Sequence, residues 1–500
     1  MQDPDPNPCP LDHLALRGQP NSPALISRDR VISYAELNQR VCALAALLRG
    51  KGLEQGARVA TWLPKTVEAC LMPLATARAG LIHVPINPAL RKAQVEHILA
   101  DSGASLLLTS ESRAALLDPN LCPVLEERDA MAIAPDGEGL PPSSANTDDL
   151  AAILYTSGST GRPKGVMLSH ANLWLGAASA AAYLDVCAEE RVLGVLPLSF
   201  DYGQNQLFST WHAGAAVVPL DYLSARDVIK AVERHGITSL AGVPPLWVQL
   251  LEADWPQAAA ESLQRLTNSG GALTPTLIKR MQGTFPKARI FPMYGLTEAF
   301  RSTFLDPALV DQHPHSVGTA IPFAEVMIVR PDGSPCDAGE AGELVHAGPL
   351  VAKGYWMDEE RTAQRFRPAP AHSRYGGIAV WSGDKAVRDA QGLISFIGRD
   401  DEMIKSSGNR ISPTEIEEAA EASGAVLESV AVGVPDDRLG QAILLLAVGK
   451  GDDPEPRLRA WFKTELPAFM HPRDVIWRDE LPRNPNGKLD RAAIRQEFAA

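Results

Sequence analysis

Leu154-Tyr155-Thr156-Ser157-Gly158-Ser159-Thr160-Gly161-Arg162-Pro163-Lys164-Gly165 is the most informative stretch of the chain. An apolar run from Leu150 to Tyr155 delivers the backbone into a loop of Gly, Ser and Thr ending on Arg162 and Lys164. Glycines let backbone N–H groups approach an anion, hydroxyls donate further hydrogen bonds, and the two cations add charge. A triphosphate is the guest these residues suit. A generic Gly/Ser run is more often a plain surface loop, but this order of residues is far less generic. It is not a Walker A loop, because Pro163 stands five places after Gly158 where the second glycine should be. Nor is it a nucleophile elbow, because Ser157, not glycine, stands two places before Ser159.

Outward from this loop, strand and helix signals alternate. Arg58–Trp62 and Ile82–Pro85 read as strands, and Val67–Ala79 and Lys92–Leu99 as helices. Ser33-Tyr34-Ala35-Glu36 reads as a capping box. The alternation predicts a parallel sheet with helices on its faces. Pro, Gly, Ser and Asp crowd 134–149, which predicts a linker. A second α/β block is expected from Leu150 to about Leu309, and β-branched strands with Gly/Pro turns predict a β subdomain from Ala320 to Ile397. The last hundred or so residues return to α/β alternation, with a helix start at Ser412-Pro413-Thr414-Glu415. The expected fold class is α/β: a large N-terminal domain of mixed α/β sheets plus a β subdomain, and a small C-terminal α+β domain.

The length of 500 residues is too great for one core. Lys plus Arg is 47 against 60 Asp plus Glu, a net charge of −13, which argues against broad nucleic-acid or anionic-membrane binding. Six scattered cysteines without a CxxC pair signal neither a zinc ribbon nor a disulfide framework. The acidic, Pro-rich start is unlike a signal peptide, and no apolar run reaches the ~18 residues of a membrane span. The expectation is a reduced, cytoplasmic protein.

The phosphate loop resembles the signature of the AMP-forming acyl- and aminoacyl-adenylating ligases: acyl-CoA synthetases, luciferases and peptide-synthetase adenylation domains. The rest of the chain resembles them in order and spacing. Tyr294-Gly295-Leu296-Thr297-Glu298 is similar to the adenylate-binding motif and Trp381-Ser382-Gly383-Asp384 to the ribose-binding motif. Gly398-Arg399-Asp400-Asp401, running on to Gly408-Asn409-Arg410, is similar to the interdomain hinge, and Pro485-Asn486-Gly487-Lys488 to the catalytic-lysine motif. At finer grain, 199–207, 403–417 and 434–441 resemble acyl-CoA ligases associated with exosortase systems.

The resemblance implies a domain over 1–397 and a mobile domain over 398–500, hinged near Asp401. It implies ATP and Mg²⁺, with attack of a carboxylate on the α-phosphorus and later displacement of AMP by a thiol. Thr156, Ser157, Gly158, Ser159, Thr160 and Gly161 would cradle phosphate beside Lys164. Glu298 would be the magnesium-side acid, Thr297 would donate to the α-phosphate, and Tyr294 with Gly295, Gly271 and Ala272 would lie against the adenylate. Asp384 would accept the ribose hydroxyls, and Arg399 and Arg410 would reach the nucleotide or the thiol channel. Lys488 would bridge carboxylate and ATP.

The acid pocket is less determined. Asp201, in Ser199-Phe200-Asp201-Tyr202-Gly203, resembles the ammonium-pairing Asp of amino-acid-activating domains; otherwise it is a loop or N-cap residue. Arg301 could hold a second substrate carboxylate or point to solvent. Gly242, Val243 and Pro244 are expected as a pocket wall, with Asn268, Gly270 and Gly271 as its floor and the two glycines leaving room beside the adenylate. The acceptor is coenzyme A or the phosphopantetheine of a carrier protein, which would act in trans since no carrier domain follows Ala500. The alternatives are a stand-alone amino-acid ligase loading such a carrier, and a phosphotransfer protein that never forms an adenylate.

Overall fold

The computed structural model describes the chain apart from residues 1–3, 29, 91, 133–138, 157–162, 400–403, 407–408, 437–439, 467 and 499–500, and apart from the side chains at 399, 405, 409, 410, 440 and 469. Three sheets organise it. The first has six strands in the order Val124–Glu126, Leu106–Thr109, Arg58–Trp62, Ile82–Pro85, Leu150–Thr156, Lys164–Ser169. Its pairings are parallel except for the closing hairpin, Leu150–Thr156 with Lys164–Ser169. Ile82–Pro85 and Leu106–Thr109 are buried at every residue, as strands covered on both faces must be.

The second sheet has fourteen strands. Its parallel part holds Ala216–Pro219, Arg191–Gly194, Ser239–Gly242, Arg265–Asn268 and Arg289–Tyr294. Through Thr303–Phe304 and Ser316–Ala320 it turns antiparallel and continues into the expected β subdomain, so that subdomain shares one ladder with the α/β core. One grouping expected from the sequence is corrected: Leu150–Ser169 closes the first sheet instead of opening the second block. Pro23–Ser27 pairs in parallel with Ala216–Pro219 in the second sheet. Buried polar tips hold it there: Trp211 Nε1 donates to Ala24 O at 3.0 Å and Tyr34 OH to Ala215 O at 2.8 Å.

Helix Asp201–His212 is buried at every residue but its last, which carries Asp201 into the interior. The expected capping box at Ser33 is half made. Ser33 Oγ accepts from Glu36 N at 3.2 Å, but the Glu36 carboxylate pairs with Arg30 and Arg40 instead. All six cysteines are free thiols. Among the described residues no helix is long and apolar enough to cross a membrane.

The third sheet has five strands: Ile404–Ser406, Asn409–Ile411, Val426–Asp436, Gly440–Gly449 and Asp474–Arg478, the last in parallel on Gly440–Gly449. Helices Pro413–Ala422 and Pro454–Glu465 cover one face. Ser412 sits at the helix start, but its hydroxyl donates to Ile397 O at 2.8 Å rather than capping the helix. It thereby ties this unit to the large one. Further ties are Thr274 Oγ1 donating to Glu421 Oε2 at 2.7 Å, His315 Nδ1 at 3.3 Å from Glu418 Oε2, and Asn87 Nδ2 donating to Pro485 O at 2.7 Å.

Glu421 is pushed up to about 8 from an ordinary 4.5 by burial; the Thr274 bond opposes this, and Glu417, Glu428 and Glu418 add to it. A carboxyl whose pKa is raised in the docked state favours docking fully below its ordinary value. That contribution is lost as pH rises through the window up to about 8. Docking of the C-terminal unit is therefore expected to weaken across that window. Glu421→Gln, neutral throughout, should flatten the dependence. Energy transfer between dyes on the two units measures it.

Candidate active site

Lys164 opens its strand opposite Thr156, so the expected phosphate loop is the connection of the closing hairpin. Ser157, Gly158, Ser159, Thr160 and Gly161 lie outside the described residues. Thr156 Oγ1 is buried at the loop mouth with no hydrogen-bond partner among the described residues, as a hydroxyl that meets an anion would be. Lys164 Nζ lies 3.2 Å from Glu298 Oε1 and 2.6 Å from Tyr355 OH, and Tyr355 OH donates to Glu298 Oε1 at 2.6 Å. Glu298 stands in the short turn Thr297–Ala299, pinned by Ala352 N donating to its carbonyl at 2.9 Å. Burial alone would raise its pKa. Lys164, Arg365 and the Tyr355 hydroxyl outweigh burial and hold it below the usual carboxylate range.

Tyr294 ends its strand with its hydroxyl hydrogen-bonded to Asp384 and its ring stacked on Phe396, centroids 6.1 Å apart at 28°. The two side chains expected at adenine and ribose therefore face each other. Gly383 holds the turn before Asp384 with φ +67°, and its N–H donates to Glu343 Oε1 at 2.9 Å. Arg399 pairs with Asp384 in backbone register. Its side chain, that of Arg410, and the whole of Asp401 lie outside the described residues. At Gly295 the chain folds back so closely that a Cβ would stand 3.1 Å from Arg301 Cα. Ala272 is exposed.

Asp201 is buried and accepts from Thr297 Oγ1 at 3.1 Å. Its pKa is raised by burial, against the opposing charges of Arg301 and Lys488 and the Thr297 bond. Arg301 is 4% exposed, with its guanidinium 4.2 Å from the Tyr202 ring centroid and its Nε without a partner. Arg301 thus points inward, not to solvent. Tyr202 is fixed by its hydroxyl against Thr267 Oγ1 at 2.6 Å. From the C-terminal unit, Lys488 enters the same cleft and sets Nζ 4.4 Å from the Phe200 ring centroid.

The structure corrects the glycine expectations. A Cβ at Gly270, φ +82°, would meet Lys488 Cε at 2.4 Å, so its vacant space belongs to the lysine. The space at Gly271 is taken by Pro244 Cγ at 3.0 Å, and that at Gly242 by the Trp247 indole at 2.7 Å. Sequence reasoning missed Tyr355, Arg365 and Phe200. Arg365 Nη1 lies 3.0 Å from where a Cβ on Gly383 would stand, between the Lys164–Glu298 pair and the Asp384 turn. Lys353-Gly354-Tyr355 carried no spacing signal that could have pointed to it.

A cleft collecting Lys164, Glu298 and Asp384 from one unit and Lys488 from another is that of an ATP-dependent carboxylate-activating ligase. The chain belongs to the AMP-binding enzyme family: residues 13–356 match that family and 415–488 match its C-terminal domain. Feruloyl-CoA synthase of Amycolatopsis sp is 33% identical over 96% of this chain and 97% of its own. Tyrocidine synthase 2 of Brevibacillus parabrevis is 32% identical over 95% of this chain but 13% of its own. The ATP-bound structure of MatB from Rhodopseudomonas palustris superposes with a TM-score of 0.87 at 26% identity, covering 98% of this chain and 99% of the other. The o-succinylbenzoate coenzyme A synthetase of Bacillus subtilis, solved with ATP and a magnesium ion, gives 0.84 at 26%, with 98% and 99% covered. The protein is accordingly an AMP-forming acid–thiol ligase that uses ATP with Mg²⁺. The phosphotransfer alternative falls with that assignment.

The donor set suits Mg²⁺. Among the described residues no cluster of three His, Cys, Asp or Glu could hold a resident metal. Glu298 supplies one ionised carboxylate. Lys164 and Tyr355 both converge on its Oε1, and Oε2 receives no side-chain donor among the described residues. One carboxylate oxygen is what a hard cation needs when phosphates and water supply its other ligands.

Gly270→Ala is expected to fold, because the obstructed atom is the far end of a flexible side chain, at a cost of about 1 kcal/mol for the positive φ. The added methyl should exclude the Lys488 ammonium and lower acid-dependent pyrophosphate release by about tenfold, the size of one misplaced charge contact. Pyrophosphate assay beside a melting curve checks both.

Proposed function

We propose that this chain joins coenzyme A to a small carboxylic acid lacking an α-ammonium group, through an acyl-adenylate, with Lys488 as the residue that enables adenylation. The observation that carries this reading is the passage of Lys488 over Gly270 to the Phe200–Asp201 corner of the large unit.

The first step brings a carboxylate to a polyanion, so positive charge must be fixed where negative charge concentrates. Lys488 stands on the acid side and Lys164 on the phosphate side. An oxygen of the acid bonds to the α-phosphorus while the bond to the bridging oxygen breaks and pyrophosphate leaves. Mg²⁺, when bound, supplies charge neutralisation at the phosphates, with Glu298 as its protein ligand. Asp384 accepts the ribose hydroxyls and Tyr294 lies along the adenine. Thr297 has one hydroxyl proton, which is engaged by Asp201, so its donation to the α-phosphate requires release from that carboxylate. In the second step the thiol sulfur attacks the acyl carbon and AMP departs with the oxygen that came from the acid. Lys488 must withdraw for the thiol to enter, and residues 398–500 are the unit that moves, hinged near Asp401.

Asp201 no longer supports an amino-acid substrate. Arg301, Lys488 and the Thr297 hydroxyl already face its carboxyl, so a substrate ammonium would not be its first partner, although burial still outweighs them and keeps its pKa raised. Arg301, buried with an unpartnered Nε, favours an acid carrying a second anionic or polar group. Coenzyme A is favoured over a carrier protein because relatives matched over 97% of their own length are named feruloyl-CoA synthase.

Lys488→Ala should lower acid-dependent pyrophosphate release by at least about a hundredfold while sparing thioester formation from a supplied acyl-adenylate. Equal loss in both half-reactions would contradict the alternation. Across a substrate panel, acids without an α-amino group should support pyrophosphate release, and Arg301→Leu should raise KM for the best of them by about tenfold. Activity with free amino acids that collapses in Asp201→Ala would overturn the reading.

A further inference from the structure

We propose that Tyr355 is a positioning residue for nucleotide binding: its hydroxyl takes the shorter of the two Lys164 contacts and shares the ammonium with Glu298, so that their ion pair stands at 3.2 Å instead of becoming exclusive, and one can face phosphate and the other a cation. The proposal rests on the functional reading above for what Lys164 and Glu298 do.

Tyr355 is held unusually firmly for a residue outside regular structure. Its neighbours pair with strand Lys164–Ser169: Lys353 N donates to Met167 O at 2.9 Å, Met167 N to Gly354 O at 2.9 Å, and Trp356 N to Gly165 O at 2.8 Å. Its own N–H donates to Thr362 Oγ1 at 2.9 Å. Gly354 makes the approach possible with φ +117°, and a Cβ there would strike Thr362 Cγ2 at 2.7 Å. The Tyr355 ring is 3% exposed and stands edge-on to Phe366, centroids 5.4 Å apart at 82°. The hydroxyl therefore occupies a point set by the backbone, not by its own rotation.

At that point it lies between the two charges. Lys164 donates to it at 2.6 Å, closer than its 3.2 Å contact with Glu298, and the ammonium also lies 4.2 Å from the ring centroid. The hydroxyl in turn donates a hydrogen bond to Glu298 Oε1 at 2.6 Å. A hydroxyl can accept from one partner and donate to another, and this one does both. Lys164 thereby divides its donors between the phenol and a 3.2 Å ion pair with Glu298, and Glu298 is oriented with Oε2 turned from both donors. With the hydroxyl removed, the Glu298 carboxylate is the strong acceptor on which the ammonium can close. A shorter Lys164–Glu298 ion pair, no longer shared with the phenol, would compete with phosphate for the lysine and with the cation for the glutamate.

Tyr355→Phe deletes only the oxygen and keeps the ring against Phe366 and under Lys164. The test is calorimetric titration with α,β-methylene ATP and Mg²⁺, which cannot release pyrophosphate, on wild type, Tyr355→Phe, Lys164→Gln and the double variant, each with a melting curve. The expected result is a Kd for Tyr355→Phe weaker by about tenfold, the scale of one hydrogen bond to a charged group, with a melting temperature equal to or above wild type. The double variant should bind no more weakly than Lys164→Gln alone, since Tyr355 acts through the lysine. An unchanged Kd overturns the proposal. So does a Kd that weakens only in step with lost thermal stability, or effects of the two substitutions that simply add. Wild type failing to bind the nucleotide at all would overturn the functional reading beneath it, an outcome distinct from wild type and Tyr355→Phe binding alike.

Discussion

The cleft depends on one lysine crossing from one folded unit into another. Lys488 belongs to a Pro/Gly loop of the C-terminal unit, yet its ammonium rests beside Phe200, at the start of a helix buried in the large unit. The passage exists because Gly270 has no side chain and adopts a φ that other residues rarely take. The ties that surround it among the described residues include polar ones: Asn87 to the 485–486 backbone and side chain, Thr274 to Glu421 and Ser412 to Ile397. Such an interface can hold one orientation and release it, which a two-step reaction with two incompatible geometries requires.

Charge is distributed along the cleft so that each charged group has partners that do not neutralise it completely. Lys164 is shared between a phenol and a carboxylate, Arg301 lies on an aromatic face with one donor unmet, and Asp201 is surrounded by several weaker partners instead of one bidentate one. Full pairing would be more stable and less useful, because each pair would have to be broken for a polyanion to bind.

The parts of this arrangement written in short contiguous segments were legible in the sequence. Tyr294, Thr297 and Glu298 fall within one turn of chain, Asp384 follows Gly383 at a strand bend, and Lys488 follows Gly487. The α/β alternation likewise followed from apolar periodicity. What was not legible is what tertiary contact decides. Tyr355 meets Lys164 across 191 positions and Glu298 across 57, and no spacing rule reaches that far. Pro23–Ser27 joins the second sheet because Ala216–Pro219 offers it a parallel edge, which local pattern cannot reveal. Ser412 has the composition of a cap, but its hydroxyl is taken by the Ile397 carbonyl of the other unit. The glycines at 242, 270 and 271 were rightly singled out as places lacking side chains, but what fills each space, an indole, a lysine and a proline, is set by distant chain.

Activation of the acid on the α-phosphorus leaves a trace in the fate of its oxygens. An active carboxylic acid labelled with ¹⁸O in its carboxyl group would be turned over with ATP, Mg²⁺ and coenzyme A, and the phosphorus products examined by mass spectrometry. One labelled oxygen is expected in AMP and none in pyrophosphate. Label in orthophosphate, with ADP as the other product, would contradict activation on the α-phosphorus.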